Sequence, residues 1–233
     1  MRGPFARGVD AVRYMVKTTE LYDLSASLAG EYLQRTEYPF EALAHIGEWI
    51  ARIGENLPHE AFWRAGDEVW ISESASVAPT AQIIGPAIVG PSCEIRHGAY
   101  LRGNVLLGKG CVVGNSSELK NCILFDGVQL PHFNYAGDSV LGRGVHFGAG
   151  AIASNLRADR QNVCLHVSGA NIPTERRKVG AMVGDGAEIG CGAVLSPGAV
   201  VGPRAIVYPL KLVRGCVPSD AILKSDDSII KRV

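Results

Sequence analysis

The chain of 233 residues is 47% hydrophobic with a formal net charge of zero, which suits one good-sized domain with an appendage. The charge balance argues against nucleic acid or an anionic membrane as a partner, and no apolar run reaches transmembrane length. Six cysteines without a CxxC pair, and no apolar leader segment in residues 1–19, favour a reduced, cytoplasmic protein.

The N-terminal quarter of the chain is predicted to be helical. We expect a flexible N-terminus over 1–19 and a helical appendage over 20–66. Asp23 is the N-cap of a first predicted helix, and Pro39 suits the first turn of a second, which ends at Gly54. We expect these helices to cover the first coils of the following domain and to block its open strand edge.

A six-residue repeat dominates the rest of the chain. Aliphatic residues recur at a spacing of six, and each is preceded, two positions earlier, by a smaller one, so that two inward positions flank one outward position as in a short strand. This pattern predicts a hexapeptide β-helix with three strands per coil, a triangular prism over 67–213. The aliphatic series is Ile71, Val77, Ile83, Val89, Ile95, Leu101, Leu107, Val113 and Leu119, and then Val183, Ile189, Leu195, Val201, Val207 and Val213.

Stacking of coils places two cations at one corner of the prism. Arg102 and Lys120 are 18 residues apart, which is one full coil, and stacked cations repel unless an anion lies between them. They are therefore a candidate phosphate site, and the alternative is a pair of solvated surface charges. A slip of the repeat after Leu119 brings Tyr135 and Asn155 to the same edge in later coils.

Two further segments do not follow the repeat. The insertion 156–178 is rich in arginine and either reaches a neighbouring subunit, covers a substrate, binds an anion or is a solvated loop. After Val213 the pattern ends, and 214–233 is predicted to be a tail packed on the last coil.

Several motifs resemble the left-handed β-helix acyltransferases. The likeness is closest to the acetyltransferase domain of the bifunctional N-acetylglucosamine-1-phosphate uridyltransferase/glucosamine-1-phosphate acetyltransferase. It covers about residues 70–213 and implies an all-β fold, a left-handed parallel β-helix with a short N-terminal helical cap. The matching stretches are LRG at 101–103, ELK at 118–120, PHFNYAGD at 131–138 and GVHFGAGAIASN at 144–155.

The resemblance also implies roles for individual residues. It makes His132 the general base that deprotonates an acceptor amine, with Glu118 orienting it, and imidazole chemistry suits that task. Arg102, Lys120 and Tyr135 would hold a sugar phosphate, and Asn155 would contact the sugar or the acetyl group. His146 stands on the acceptor side, and Cys191 and Pro209 match positions that contact the cofactor.

The implied reaction is acetyl transfer from acetyl-CoA to the amino group of a phosphorylated or nucleotide-linked amino sugar. The resemblance implies a homotrimer with sites between subunits and no structural metal. The uridyltransferase domain of the longer relatives, with its glycine-rich nucleotide loop, has no counterpart in this sequence. We therefore predict that this chain alone lacks nucleotidyltransferase activity.

The sequence departs from the family at the acceptor side. His146 replaces the usual Asn, Leu156 follows Asn155 where an aromatic residue is usual, and the insertion replaces a short lysine-bearing loop. A non-catalytic trimeric module that binds a sugar phosphate or nucleotide sugar therefore remains an alternative. A second alternative is a γ-class carbonic anhydrase, because GAYLRG at 98–103 resembles a stretch of that class. That class needs three histidines that converge on a zinc ion, and the candidates here are His97, His132 and His146.

Overall fold

The computed structural model describes residues 14–167 and 169–232, and the predicted flexible segment 1–19 lies mostly outside them. The chain forms a β-helix of about nine coils in which three parallel sheets make the walls of a prism. The predicted β-helix with short N-terminal helices is thus confirmed. No helix within the described ranges is long and apolar enough to cross a bilayer.

Each coil contributes one parallel strand to each of three sheets, and an antiparallel strand is added at one edge of sheet A, by Phe62–Gly66, and at one edge of sheet B, by Ile229–Lys231. Sheet A contains Phe62–Gly66, Val69–Ser72, Ala87–Val89, Val105–Leu107, Cys122–Leu124, Val140–Leu141, Met182–Val183, Val200–Val201 and Cys216–Val217. Sheet B contains Ser76–Val77, Glu94–Ile95, Val112–Asn115, Gln129–His132, His146–Phe147, Glu188–Ile189, Ile206–Val207, Ala221–Leu223 and Ile229–Lys231. Sheet C contains Gln82–Ile84, Tyr100–Arg102, Glu118–Lys120, Tyr135–Gly137, Ile152–Ala153, Val194–Leu195 and Leu212–Val213.

The chain runs from sheet B to sheet C to sheet A in every coil, which defines a B–C corner and a C–A corner. Strand pairing aligns Leu101 with Leu119, Leu119 with Ala136, and Ala136 with Ala153, as the slipped repeat predicts. These aliphatic residues fill the prism and are fully buried. The inward column therefore runs unbroken through the slip, and the outward residues beside it come from successive coils.

The outer face of sheet A is also apolar, and this explains where the helices lie. Short helices formed by Thr18–Leu21, Gly30–Leu33, Pro39–Ala42 and Ile46–Glu55, and a 3-10 turn at Leu24–Ala26, build a second core with it. The expected cap over the open strand edge is therefore a cover along one wall, because the outward side chains of that wall are mostly apolar. The outward residues of sheet A are Trp70, Ile88, Leu106, Ile123, Val140, Met182, Val200 and Cys216.

The two predicted helices are broken into shorter pieces. Asp23 caps only the 3-10 turn, accepting a hydrogen bond from the Ser25 amide. The second helix begins at Pro39 as expected but is interrupted after Ala42. At this break the carbonyl of Leu43 accepts side-chain hydrogen bonds from Asn121 of the β-helix and Arg176 of the insertion. Contacts with the prism therefore override the helical periodicity.

The insertion and the C-terminal segment are both ordered parts of the fold. The insertion forms an antiparallel hairpin of Cys164–Val167 and Ala170–Pro173, whose apolar side chains join the core over the later strands of sheet A. The repeat was predicted to end at Val213, whereas Cys216–Val217 and Ala221–Leu223 continue sheets A and B. A shorter spacing after Val213 hides these strands from a search for hexads.

Candidate active site

Four polar residues form a ladder along the C–A corner. Asn104, Asn121 and Asp138 are the corner residues of successive coils, each with a φ near +50°, a conformation that Asn and Asp tolerate better than most residues. Asn104 donates to Asn121 at 3.2 Å, Asn121 donates to Asp138 at 2.9 Å, and Asn155 donates to the other Asp138 oxygen at 2.5 Å. We call these four residues the corner ladder. Its centre is the buried Asp138 carboxylate.

Tyr135 and Asn155 meet above Gly137. The Asn155 amide donates to the Tyr135 hydroxyl at 3.2 Å. A Cβ on Gly137 would lie 2.3 Å from that hydroxyl and 2.7 Å from the Asn155 amide nitrogen, so glycine is required for this close approach. Burial, reinforced by the nearby Asp138 and Glu118 carboxylates, raises the pKa of Tyr135. The phenol therefore stays neutral at physiological pH and can donate or accept a hydrogen bond.

The two stacked cations are each paired with a carboxylate of the protein. Arg102 bonds Glu118 at 2.5 Å, and Lys120 lies 3.7 Å from Asp138. The predicted anion between Arg102 and Lys120 is thus not needed to balance their charges. Glu118 is available to Arg102 because both side chains project outward from neighbouring strands of sheet C.

His132 lies at the B–C corner, on the opposite edge of sheet C from the corner ladder. The side chain is exposed, and no described side chain bonds its imidazole. Glu118 therefore does not orient His132 within this chain. The backbone beside His132 is held by the buried Asn134, whose Oδ1 accepts from the His132 amide at 3.0 Å and whose Nδ2 donates to the Gly148 and Ala151 carbonyls.

The predicted cofactor positions share the corner with His132. The His132 carbonyl accepts from Gly150 in the next coil, and the Cys191 carbonyl accepts from Leu210, so these corners stack along one line. Cys191 is a free, exposed thiol, and Pro209 is exposed beside it. An extended ligand could thus follow this corner from His132 toward Pro209.

His146 stands apart from the corner ladder. It projects from the outer face of sheet B, where its Nδ1 lies 3.0 Å from Glu188. His97, a further candidate in the carbonic anhydrase alternative, bonds Thr80 instead. Among residues 14–167 and 169–232 no three potential ligands group around a point where a metal ion could sit.

Sequence reasoning missed most of the corner ladder and the role of Asn134. A signal was present, because positions 104, 121, 138 and 155 hold Asn or Asp at a constant spacing of 17. This spacing equals a coil that is one residue shorter than the regular 18. A search for polar residues at the shortened period would have found the ladder.

A cavity of about 480 Å³ opens beside the corner ladder. Its walls come from the corner itself, from the helical segment and from the end of the insertion. The lining residues are Leu43, Ala44, Asn104, Lys120, Asn121, Asp138, Arg176, Arg177 and Lys178. Four cationic side chains and one carboxylate give this pocket a positive character. We call it the corner pocket.

The three-walled prism and its six-residue repeat define the chain as a hexapeptide-repeat β-helix protein. Residues 83–176 match the family model of the GMPPB C-terminal domain. The bifunctional sugar-1-phosphate nucleotidylyltransferase/acetyltransferase of Sulfurisphaera tokodaii is 37% identical over 65% of this chain and 43% of its own length. The bifunctional protein GlmU of Methanococcus maripaludis is 33% identical over 76% of this chain and 42% of its own length.

The chain therefore spans about two fifths of the length of these two relatives. The predicted resemblance is confirmed, since the match covers the acetyltransferase part of these bifunctional proteins. Among solved structures, a perosamine N-acetyltransferase mutant from Caulobacter crescentus with CoA and GDP-perosamine covers 70% of this chain and 56% of its own. Its sequence identity is 18% and its TM-score 0.35, a likeness too low to bear on function.

Proposed function

We propose that this chain transfers the acetyl group of acetyl-CoA to the amino group of a phosphorylated or nucleotide-linked amino sugar. The observation that carries the proposal is the placement of the exposed His132 at the head of the B–C corner, with Cys191 and Pro209 stacked along the same corner. The acetyltransferase relatives support the same reaction class. Tyr135, Asn155 and Lys120 provide polar and charged groups for the acceptor toward the C–A edge of sheet C, so the acceptor would extend across this sheet from His132.

In this proposal His132 acts as the general base. The nitrogen lone pair of the acceptor amine attacks the thioester carbonyl carbon, and His132 takes the proton that the nitrogen loses as the C–N bond forms. The C–S bond then breaks, and the imidazolium returns the proton to the departing thiolate. Coenzyme A leaves as the free thiol, so that atoms and charges balance. Asn134 keeps His132 in place by fixing the corner backbone.

The test is thiol release from acetyl-CoA by the purified chain, with amino-sugar phosphates and UDP-linked amino sugars as acceptors. We expect turnover with one acceptor, and His132→Ala should lower kcat by about 100-fold or more, since general base catalysis contributes that much. The fold should survive because the side chain is exposed. The control is His59→Ala, which removes an exposed imidazole outside the β-helix.

A normal rate in His132→Ala would show that the assigned base is wrong. Absence of turnover with every acceptor would overturn the enzymatic proposal and favour the binding module. That second function gains weight from Glu118, which pairs with Arg102 and leaves His132 without a carboxylate partner among the described residues.

A further inference from the structure

The corner pocket is formed by three parts of the chain that are far apart in sequence. Asn121 and Arg176 both donate to the Leu43 carbonyl, at 3.4 Å and 3.2 Å, so that the β-helix and the insertion grip the helical segment at one point. Lys120 and Asp138 form the wall on the side of the candidate site. The pocket is therefore continuous with the residues to which the proposed function assigns the acceptor.

The positive charge of the pocket comes mainly from the insertion. Within the described part of the chain, Arg176, Arg177 and Lys178 form no ion pair with a carboxylate, and the Arg176 Nε is buried without a hydrogen-bond partner. Cations that converge on one pocket without carboxylate partners repel one another, and a bound anion would offset that repulsion. The arrangement thus points to a ligand and not merely to solvated surface charge.

The insertion holds these cations in a fixed place. The Arg176 amide donates to Thr174 Oγ1 at 3.2 Å, and its carbonyl accepts from Val163 at 2.7 Å. Lys178 forms a β-bridge with Leu156, directly after Asn155 of the corner ladder. The base of the insertion is therefore tied to the site, and the cations are presented by an ordered backbone.

We propose that the corner pocket binds a diphosphate group, so that the acceptor is a nucleoside-diphosphate-linked amino sugar. This inference rests on the proposed function and names its substrate class. A volume of about 480 Å³ falls in the range of small-molecule sites, which is more room than one phosphate fills. Cations stand on two walls of the pocket, and a diphosphate offers two phosphoryl groups, one for Lys120 and one for the arginines, whose forked donors suit phosphate oxygens.

Binding of simple anions to the 233-residue chain tests the pocket without any need for turnover. Inorganic pyrophosphate should bind about tenfold more tightly than inorganic phosphate, measured by calorimetry. Arg177→Ala, which removes an exposed side chain, and Arg176→Ala should each weaken pyrophosphate binding about tenfold, as expected for a lost charged hydrogen bond. Lys109→Ala removes an exposed cation on another corner and should leave the affinity unchanged.

Equal affinities for phosphate and pyrophosphate would overturn the proposal, as would an effect of Lys109→Ala equal to that of Arg177→Ala. The steady-state counterpart compares a UDP-linked amino sugar with an amino-sugar 1-phosphate as acceptor. Arg177→Ala should raise KM for the first about tenfold and leave KM for the second unchanged. Turnover of the 1-phosphate alone would overturn the diphosphate inference but leave the acetyltransferase proposal standing. Absence of all turnover, with pyrophosphate binding intact, would overturn the acetyltransferase proposal but leave the diphosphate site standing.

Discussion

The corner ladder shows how single residues adapt the β-helix to a shorter coil. Asn121 and Asp138 each turn the C–A corner alone, in a left-handed conformation, where a regular coil has two residues such as Gly103 and Asn104. Their side chains are then stacked at the pitch of the coils and bond one another. The shortening of the coil and the polar cluster therefore have one origin.

Gly137→Ala tests whether the contact between Tyr135 and Asn155 matters for activity. The new methyl group would displace the Tyr135 hydroxyl and the Asn155 amide, which are the mobile ends of their side chains, so the fold should persist. If these two groups position the acceptor, kcat/KM should fall about tenfold or more, since small misplacements in a site are costly. Steady-state kinetics and thermal unfolding, measured together, check both parts.

Gly66→Ala is the matched control for this experiment, because its Cβ would meet only Val69 atoms at ordinary contact distance. It should change neither kcat/KM nor the unfolding temperature appreciably. Unchanged kinetics in Gly137→Ala would mean that Tyr135 and Asn155 have no part in acceptor binding.

Among the elements, sheet A is the one that is packed on both faces, against the prism interior on one side and the helices on the other. Ile88 on sheet A is fully buried under the helix Ile46–Glu55, whereas Ile84, four residues earlier on sheet C, is 42% exposed. Ile88→Ala should lower the free energy of unfolding by about 2–5 kcal/mol. Ile84→Ala should change it by about 0.5 kcal/mol or less. Urea unfolding of both variants gives the comparison, and equal effects would show that the helices do not protect sheet A.

The elements differ in how far the sequence predicts them. The hexad strands and the column from Leu101 to Ala153 are predictable because each coil repeats the same inward pattern. The break at Leu43 is not, since it depends on Asn121 and Arg176, which are distant in sequence. The repeat likewise predicts one edge for four site residues, namely Arg102, Lys120, Tyr135 and Asn155. It does not predict which side chains they bond, because those partners are set by contacts between coils.

For the whole molecule, sheet C is a wall whose outer face is covered by neither the helices nor the insertion hairpin. Ile152 and Leu212 project from it at the same position as the half-buried Val194 on the strand between them, and they are 36% and 50% exposed. Such a face is typical of a contact surface between subunits. We expect the chain to be a homotrimer that uses this wall.

Ile152→Asp should convert the trimer to monomers, because a charge in the centre of the wall would be buried without a partner. Light scattering coupled to gel filtration measures the mass. Gln129→Asp, an exposed change on sheet B, should leave the trimer intact. A monomeric wild-type chain, or a trimeric Ile152→Asp variant, would contradict the expected interface.

The cover along sheet A has a consequence for cooperativity. In a stack of coils each coil contacts only its neighbours, so such a molecule can fray from either end in small steps. Here Tyr22 donates to the Val140 carbonyl while the helix Ile46–Glu55 lies on Ala87–Val89, so one segment connects coils that do not touch each other. The helical segment and the insertion hairpin therefore couple coils that are not neighbours along the axis of the β-helix. This coupling favours unfolding in one cooperative transition.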